Sequence, residues 1–263
     1  MPESRQARVV ARAIDRRLAF GERVDTHHHD QAQLVYPAQG LLAVTTDQGT
    51  WMAPPQRAVW VPAGADHRHH SYGITNMRAI LFEPVMARRG SPKPAVVAVS
   101  GLLRELILTL TDGVPRPASL RRRMERLAID LLTESPEEPL RLPEPQDDRL
   151  LGVTALLQAD PASSATLDEL GRTVGASART LSRLFHEELG MGFHQWRAQL
   201  RIHHALVLLA DGQSVTHTAF ACGWANPSAF IETFTQTVGQ TPGRYAAELR
   251  NRMDVDLETS HGK

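Results

Sequence analysis

The sequence predicts an α+β protein: an N-terminal β-barrel carrying a helical pair, followed by an all-α domain made of two helix-turn-helix units. Three observations lead there. Residues 9–82 run as short Val-, Leu- and Trp-rich segments, broken every 7–12 residues by turn formers such as Pro37, Gly40, Pro54–Pro55, Pro62 and Gly64. That spacing belongs to a sandwich or barrel. From about Pro94 the apolar period becomes helical, and after residue 148 the helical pattern repeats itself at an offset of 49.

In chain order, residues 1–92 form the barrel, although the opening stretch at 8–20, RVVARAIDRRLAF, fits a helix or an edge strand equally by period. Residues 93–134 hold the helical pair. Leu102, Leu103, Leu106, Ile107 and Leu110 make one stripe, Leu120, Met124, Leu127 and Leu131 the other, with Asp112–Gly113 and Pro115–Pro117 between them. Such a pair covers a barrel or forms a dimer surface. Residues 135–148, SPEEPLRLPEPQDD, carry four prolines and five acids with almost no apolar period, which reads as a semi-rigid linker. The repeated helical domain spans 149–250, and a polar tail follows at 251–263.

Aligning Gly175 with Gly223 superimposes the two copies, the second with one extra residue before its helix. Leu181 then matches Phe230, Phe185 matches Phe234, Gly190 matches Gly239 and Trp196 matches Tyr245. Each unit has a short helix (Leu167 to Val174; Val215 to Cys222), a glycine suited to positive φ, and a second helix. That is helix-turn-helix geometry. Between the units, residues 193–210 read as one helix, about 27 Å long at ~1.5 Å per residue. Two second helices so joined suit successive major grooves, ~34 Å apart along the duplex.

The composition, 42% hydrophobic and 22% charged over 263 residues, excludes a disordered, collagen-like or coiled-coil chain. Cys222 is the single cysteine and has no internal disulfide partner. A small residue packed at a helix end needs nothing more, whereas a redox sensor needs a basic, exposed setting. The N-terminus lacks a signal-peptide pattern and no run of ~18 apolar residues occurs, so a cytoplasmic protein with no membrane partner is expected.

Charge is balanced at 29 basic and 29 acidic residues, and 27 of the basic ones are arginine. Within 149–250 eight arginines face eight acids. Weak non-specific attraction to a polyanion and a shallow salt dependence follow. In the second helix of the first unit, Arg179, Ser182, Arg183 and His186 share the face opposite Leu181, Leu184 and Phe185. Two arginines four apart, with no acid before Glu187, suit guanine O6 and N7 in a major groove. An ordinary solvated helix face is the alternative.

Residues ~150–250 resemble the DNA-binding domain of AraC/XylS-type transcriptional regulators, through Ala219, Cys222–Gly223–Trp224, Ser228, Phe230, Phe234, the Gly239–Gln240–Thr241–Pro242 turn and Tyr245. The resemblance implies a double-stranded DNA operator, a homodimer, and RNA polymerase as a further partner. It assigns base reading to Arg179, Ser182 and Arg183 in the first unit and to Pro227, Ser228, Ile231 and Glu232 in the second. Two positions depart from the family: Glu232 stands where a basic or polar residue is usual, and Thr218 where an aliphatic is usual. A carboxylate repels phosphates unless it accepts from a cytosine amine, so the first unit should carry most of the readout.

The segments THHHDQAQ (26–33) and PAGADH (62–67) resemble the two cupin motifs. Strand alternation sets His27 and His29 on one face and His28 on the other, with Gln33 in the same parity as His29. His67 converges on them by the resemblance. Three imidazoles and an amide oxygen suit a divalent transition metal such as zinc, nickel or iron(II). Gln33 replaces the family's glutamate and is the weaker ligand. The same residues equally suit a metal-free pocket for a small effector, or hydrogen bonding inside the barrel. The combined reading is a non-enzymatic, sequence-specific transcriptional regulator whose cupin-like domain senses a small molecule or a divalent metal. The alternative is a cupin-type metal-dependent enzyme with a helical appendage.

Overall fold

A computed structural model describes residues 13–88, 90–133 and 140–249. The polar tail, the first part of the linker and the start of the opening stretch lie outside the described residues. Eight strands form one antiparallel sheet: β1 (Ala13–Leu18), β2 (Arg23–His27), β3 (Ala32–Thr46), β4 (Gly49–Ala53), β5 (Arg57–Val61), β6 (His67–Phe82), β7 (Ala95–Ala98) and β8 (Arg141–Leu142). The opening stretch, ambiguous by period, supplies β1, which pairs with β6 from Ala13 opposite Ile80 to Leu18 opposite Thr75. β3 and β6 are long enough to serve both halves of the sheet. The first part of β3 pairs with β5 and the end of β6, and its second part with β4 and the start of β6. Register shifts between Pro37 and Leu41 bend it there. Gly40 sits at the bend with φ +83, where an added Cβ would lie 2.5 Å from the Ile74 carbonyl oxygen.

Two strands escape the sequence patterns. β7 lies where the helical period is expected to begin, and β8 lies in the proline-rich linker, paired with β4. Leu140 and Leu142 bury there while Arg141 turns back over the Trp51 ring. The linker is therefore fastened to the sheet.

Helices cover the sheet on two sides. α1 (Pro84–Ala87) precedes α2 (Gly101–Thr111) and α3 (Ala118–Thr133). Leu103, Ile107 and Leu110 of α2 and Ala128 and Ile129 of α3 share a core with Leu34, Tyr36, Trp60, Ile80 and Phe82. The remaining helices are α4 (Asp148–Ala159), α5 (Leu167–Val174), α6 (Ala178–Leu189), α7 (Phe193–Ala210), α8 (Val215–Ala221) and α9 (Pro227–Val238), with residues 242–249 helical beyond them. α7 divides the helical region. Its first half (Phe193, Trp196, Leu200) packs with α4, α5 and α6. Its second half (Ile202, Ala205, Leu206, Leu209) belongs to one core with α8, α9 and the sheet residues Val35, Leu41, Val44 and Trp51.

Polar contacts hold the same junction. The Arg57 guanidinium donates to the Val238 carbonyl at the end of α9 (2.8 Å), and Gln240 donates its amide to Gln56 (3.1 Å). A cation facing a helix C-terminus is favourable.

His203 of α7 is buried at this junction and bonded to the Leu140 carbonyl; burial pulls it down to about 4 from an ordinary 6.5. The unfolded chain takes up a proton below about 6.5 that the native chain refuses until about 4. His203 thus contributes stability that is whole above that window and lost as pH falls through it. From about pH 7 to about pH 5 the loss should be about 2 kcal/mol. Urea unfolding at the two pH values should show it, and His203→Gln should flatten the slope by that amount.

Candidate functional site

The α5–α6 pair is set by its caps. Thr166 and Glu169 form a reciprocal capping box at the start of α5, Gly175 ends that helix at φ +68, and Ser177 accepts from the Thr180 amide at 3.1 Å to start α6. Leu181, Leu184, Phe185 and Leu189 bury one side of α6. Its other side lines an open groove of about 540 Å³ with Arg179, Thr180, Ser182, Arg183, His186 and Glu187. Arg183 is paired with Glu187 at 2.5 Å. His186 donates from Nδ1 to the Ser182 carbonyl at 2.7 Å, which leaves Nε2 as its free nitrogen.

Most arginines of the helical region are occupied. Arg149, Arg172 and Arg244 pair with Asp147, Asp168 and Glu248. Arg201 donates to the Pro161 and Ser163 carbonyls, each at 3.0 Å, and Arg197 to the Ala165 carbonyl, so both fasten the loop between α4 and α5. The Arg179 side chain is exposed, and no hydrogen bond or ion pair joins its guanidinium to another described residue. Its fork is open to an outside acceptor.

The α8–α9 pair repeats the plan with small changes. Ser214 caps α8, which ends at Ala221 with Cys222 as its cap; Gly223 follows at φ +79, and Asn226 caps α9 through its side chain at 2.9 Å to the Ala229 amide. Ser228, Ile231 and Glu232 are exposed on α9 and Pro227 is half-buried, while Thr218 is fully buried. Glu232 is met by the Gln236 amide at 3.4 Å. Cys222 is fully buried in the junction core, and burial pushes its thiol up to about 12. A packed, protonated thiol is inert. Native protein should therefore resist iodoacetamide at neutral pH, with labelling of Cys222 appearing only in denaturant.

The second cluster lies on the sheet. His27, at the end of β2, stands in register with His67, at the start of β6, and the His29 carbonyl accepts from the Gly64 amide at 2.8 Å. One ring nitrogen each of His27, His29 and His67 lies within 4.8 Å of the others. His27 donates from Nδ1 to the Asp25 carbonyl (2.7 Å) and His67 from Nδ1 to the Ala65 carbonyl (2.9 Å). A carbonyl only accepts, so Nδ1 carries the hydrogen in both rings and the neutral ring has its lone pair on Nε2.

His69, not singled out from the motifs, joins this group. Its ring is 5.2 Å from that of His67 and 5.5 Å from that of His27, and it is 2% exposed. The alternation of a strand, His67 then His69, is the signal that finds it. Burial, then the neighbouring imidazoles, lower His69 to about 3; burial lowers His67 to about 4, so both are neutral near pH ~7. His28 turns away and meets Asp66 at 3.0 Å. Gln33 is buried on β3 opposite Val61 and Leu81, its Oε1 without a partner among the described residues.

Paired short and long helices with a polar outer face suit the helix-turn-helix class, and the family and sequence relatives are those of DNA-binding transcriptional regulators. A helix-turn-helix domain family matches residues 170–248. The chain is 32% identical over 225 residues to the HTH-type transcriptional regulator NimR of Escherichia coli (strain K12), covering 85% of this chain and 82% of that one. It is 36% identical over 104 residues to the HTH-type transcriptional regulator RipA of Corynebacterium glutamicum, covering 40% of this chain and 31% of that one. A crystal structure of an AraC-type DNA-binding domain-containing regulator from Chromobacterium violaceum is similar at 27% identity over 38% of this chain and 91% of that one, with a TM-score of 0.37. The chain belongs to the AraC/XylS-type HTH transcriptional regulators. Among the described residues no helix is long and apolar enough to cross a membrane.

Proposed function

We propose that the protein is a sequence-specific regulator in which α5–α6 and α8–α9 act as two helix-turn-helix units on a bipartite operator. The single observation that carries this is the groove of α6, where Arg179 has no partner among the described residues and lies beside Ser182, Arg183 and His186. Arg183 is held by an exposed carboxylate, Glu187, in a pair of the kind worth at most about 1 kcal/mol, which a base or phosphate can displace. Ser228, Ile231 and Glu232 of α9 supply the second, weaker contact. Domains follow the boundaries 1–92, 93–134, 135–148 and 149–250, save that β7 and β8 pair into the sheet; the helical pair is a cover for the sheet or a homodimer surface, and RNA polymerase is a further partner.

The cupin-like sheet domain senses a small molecule or divalent metal at the cluster of His27, His29 and His67, with Gln33 as the further candidate ligand. The buried Nε2 of His67, without a partner among the described residues, supports a ligand there. β6 leads from these histidines to Gly73, whose Cβ position is 3.9 Å from the Ala210 carbonyl at the end of α7. Occupancy can thus bias the helix that joins the two units. A gel-shift titration on operator fragments, with and without effector, tests this. Equal affinities would contradict sensing.

A further inference from the structure

We infer that the cavity between α1 and α3 is a binding site for a small organic carboxylate, held by the guanidinium groups of Arg122, Arg123 and Arg126 against an apolar wall. The site shares no residue with the histidine cluster, so it stands whether or not that cluster senses anything.

The cavity holds about 350 Å³ and is lined by Val85 and Met86 of α1 with Arg122, Arg123, Arg126 and Ile129 of α3. Helical spacing brings the α3 residues together: Arg122, Arg126 and Ile129 stand at i, i+4 and i+7, and Arg123 lies three before Arg126. All three arginines are exposed, and no hydrogen bond or ion pair joins any of them to another described residue. A guanidinium only donates, so the three cannot satisfy one another. Like charges spaced in this way along a helix also repel. The described acids of α3 do not relieve them. Glu125 is buried and accepts from Arg121 at 2.8 Å, and Asp130 is engaged, but not by Arg126. An anion entering the cavity supplies the missing acceptor and the missing charge.

The apolar wall chooses among anions. Val85 is 79% exposed, whereas Met86 is half-buried and Ile129 is buried, both packed in the core that the helical pair shares with the sheet. An inorganic ion leaves that surface wet. An acid with an aromatic or aliphatic body covers it while its carboxylate meets the arginine forks in bidentate fashion. The volume falls at the lower end of the range for small-molecule sites, ~300–1,000 Å³.

Titration calorimetry of the full chain with benzoate, octanoate and 2-naphthoate tests this. Saturable one-to-one binding by at least one of the three is expected, weakened by added salt, with a shift of the Met86 methyl resonance assigned through Met86→Leu. Arg126→Gln should weaken binding at least about tenfold, and Val85→Glu, which brings a carboxylate of its own to the cavity, should abolish it. Both side chains are exposed, so neither change should lower the urea midpoint. The double variant His27→Ala/His67→Ala should bind the acid as the unaltered chain does. No saturable binding by any of the three acids, or binding unchanged in Arg126→Gln, would overturn the site. Binding lost in the histidine double variant, with Met86 unmoved, would place the acid at the histidine cluster and overturn it too. Equal binding of 2-naphthamide would overturn the role of charge, and inorganic phosphate bound as tightly as the acids would overturn the role of the apolar wall. A dimer lost in Arg126→Gln by sedimentation, with no acid bound, would overturn the ligand site and give this face to a second copy of the chain.

Discussion

Arg179→Ala is expected to weaken specific operator binding by about 1–3 kcal/mol, while leaving the folded state untouched. The guanidinium is exposed and joined to no described residue, so truncation removes nothing from the fold. Arg183→Ala should cost a similar amount, about 1–3 kcal/mol, less what is recovered because Arg183 no longer has to leave Glu187. Loss confined to the specific sequence marks a base contact. Uniform loss across sequences, with a shallower salt slope, marks a phosphate contact. Arg197→Ala and Arg201→Ala should behave differently, since these side chains hold backbone carbonyls of the α4–α5 loop. Their loss should appear first as lower stability. Fluorescence anisotropy on specific and scrambled duplexes, beside urea midpoints for each variant, separates the two kinds of arginine.

The two turn glycines predict the other large effect. Gly175 and Gly223 hold equivalent places in the repeat and both have positive φ, +68 and +79. Around Gly175 nothing lies within 4 Å of an added Cβ, so Gly175→Ala should cost only the left-handed backbone strain, about 1–2 kcal/mol. At Gly223 the same Cβ would lie 2.7 Å from the Ala162 carbonyl oxygen and 2.8 Å from its Cα. That loop cannot retreat easily, because Arg201 grips Pro161 and Ser163 on either side of it. Gly223→Ala should therefore cost about 3 kcal/mol or more. Equal urea midpoints for the two variants would contradict the packing at the second turn.

The bounds of the helices were legible where local chemistry marks them. Gly175 and Gly223 are visible in the chain as the turn glycines that follow α5 and α8, whereas the caps Thr166, Ser177, Ser214 and Asn226 are set by side-chain bonds that the structure shows. β7 and β8 were not legible, since four residues and two residues are too short to show a period. The junction core was hidden for another reason. An apolar stripe on α7 reveals that it is buried, not that Leu206 and Leu209 meet the sheet while Phe193 and Trp196 meet α6. The charge balance was visible, but its meaning needed the side chains. Equal counts make the chain neutral, but from α4 onward most described arginines are paired or hold carbonyls, and Arg179 is the one there with no such partner among the described residues. The histidine motif points to His27, His29 and His67, and His69 falls outside that motif.

Sequence-specific recognition through the α6 face is tested most directly by sequencing genomic fragments retained by the purified full chain, beside those retained by the Arg179→Ala/Arg183→Ala variant. The unaltered protein should enrich a shared bipartite motif with half-sites about one helical turn, ~34 Å, apart, and the variant should lose the half-site read by α6. No enriched motif, or the same motif enriched equally by both proteins, would contradict it.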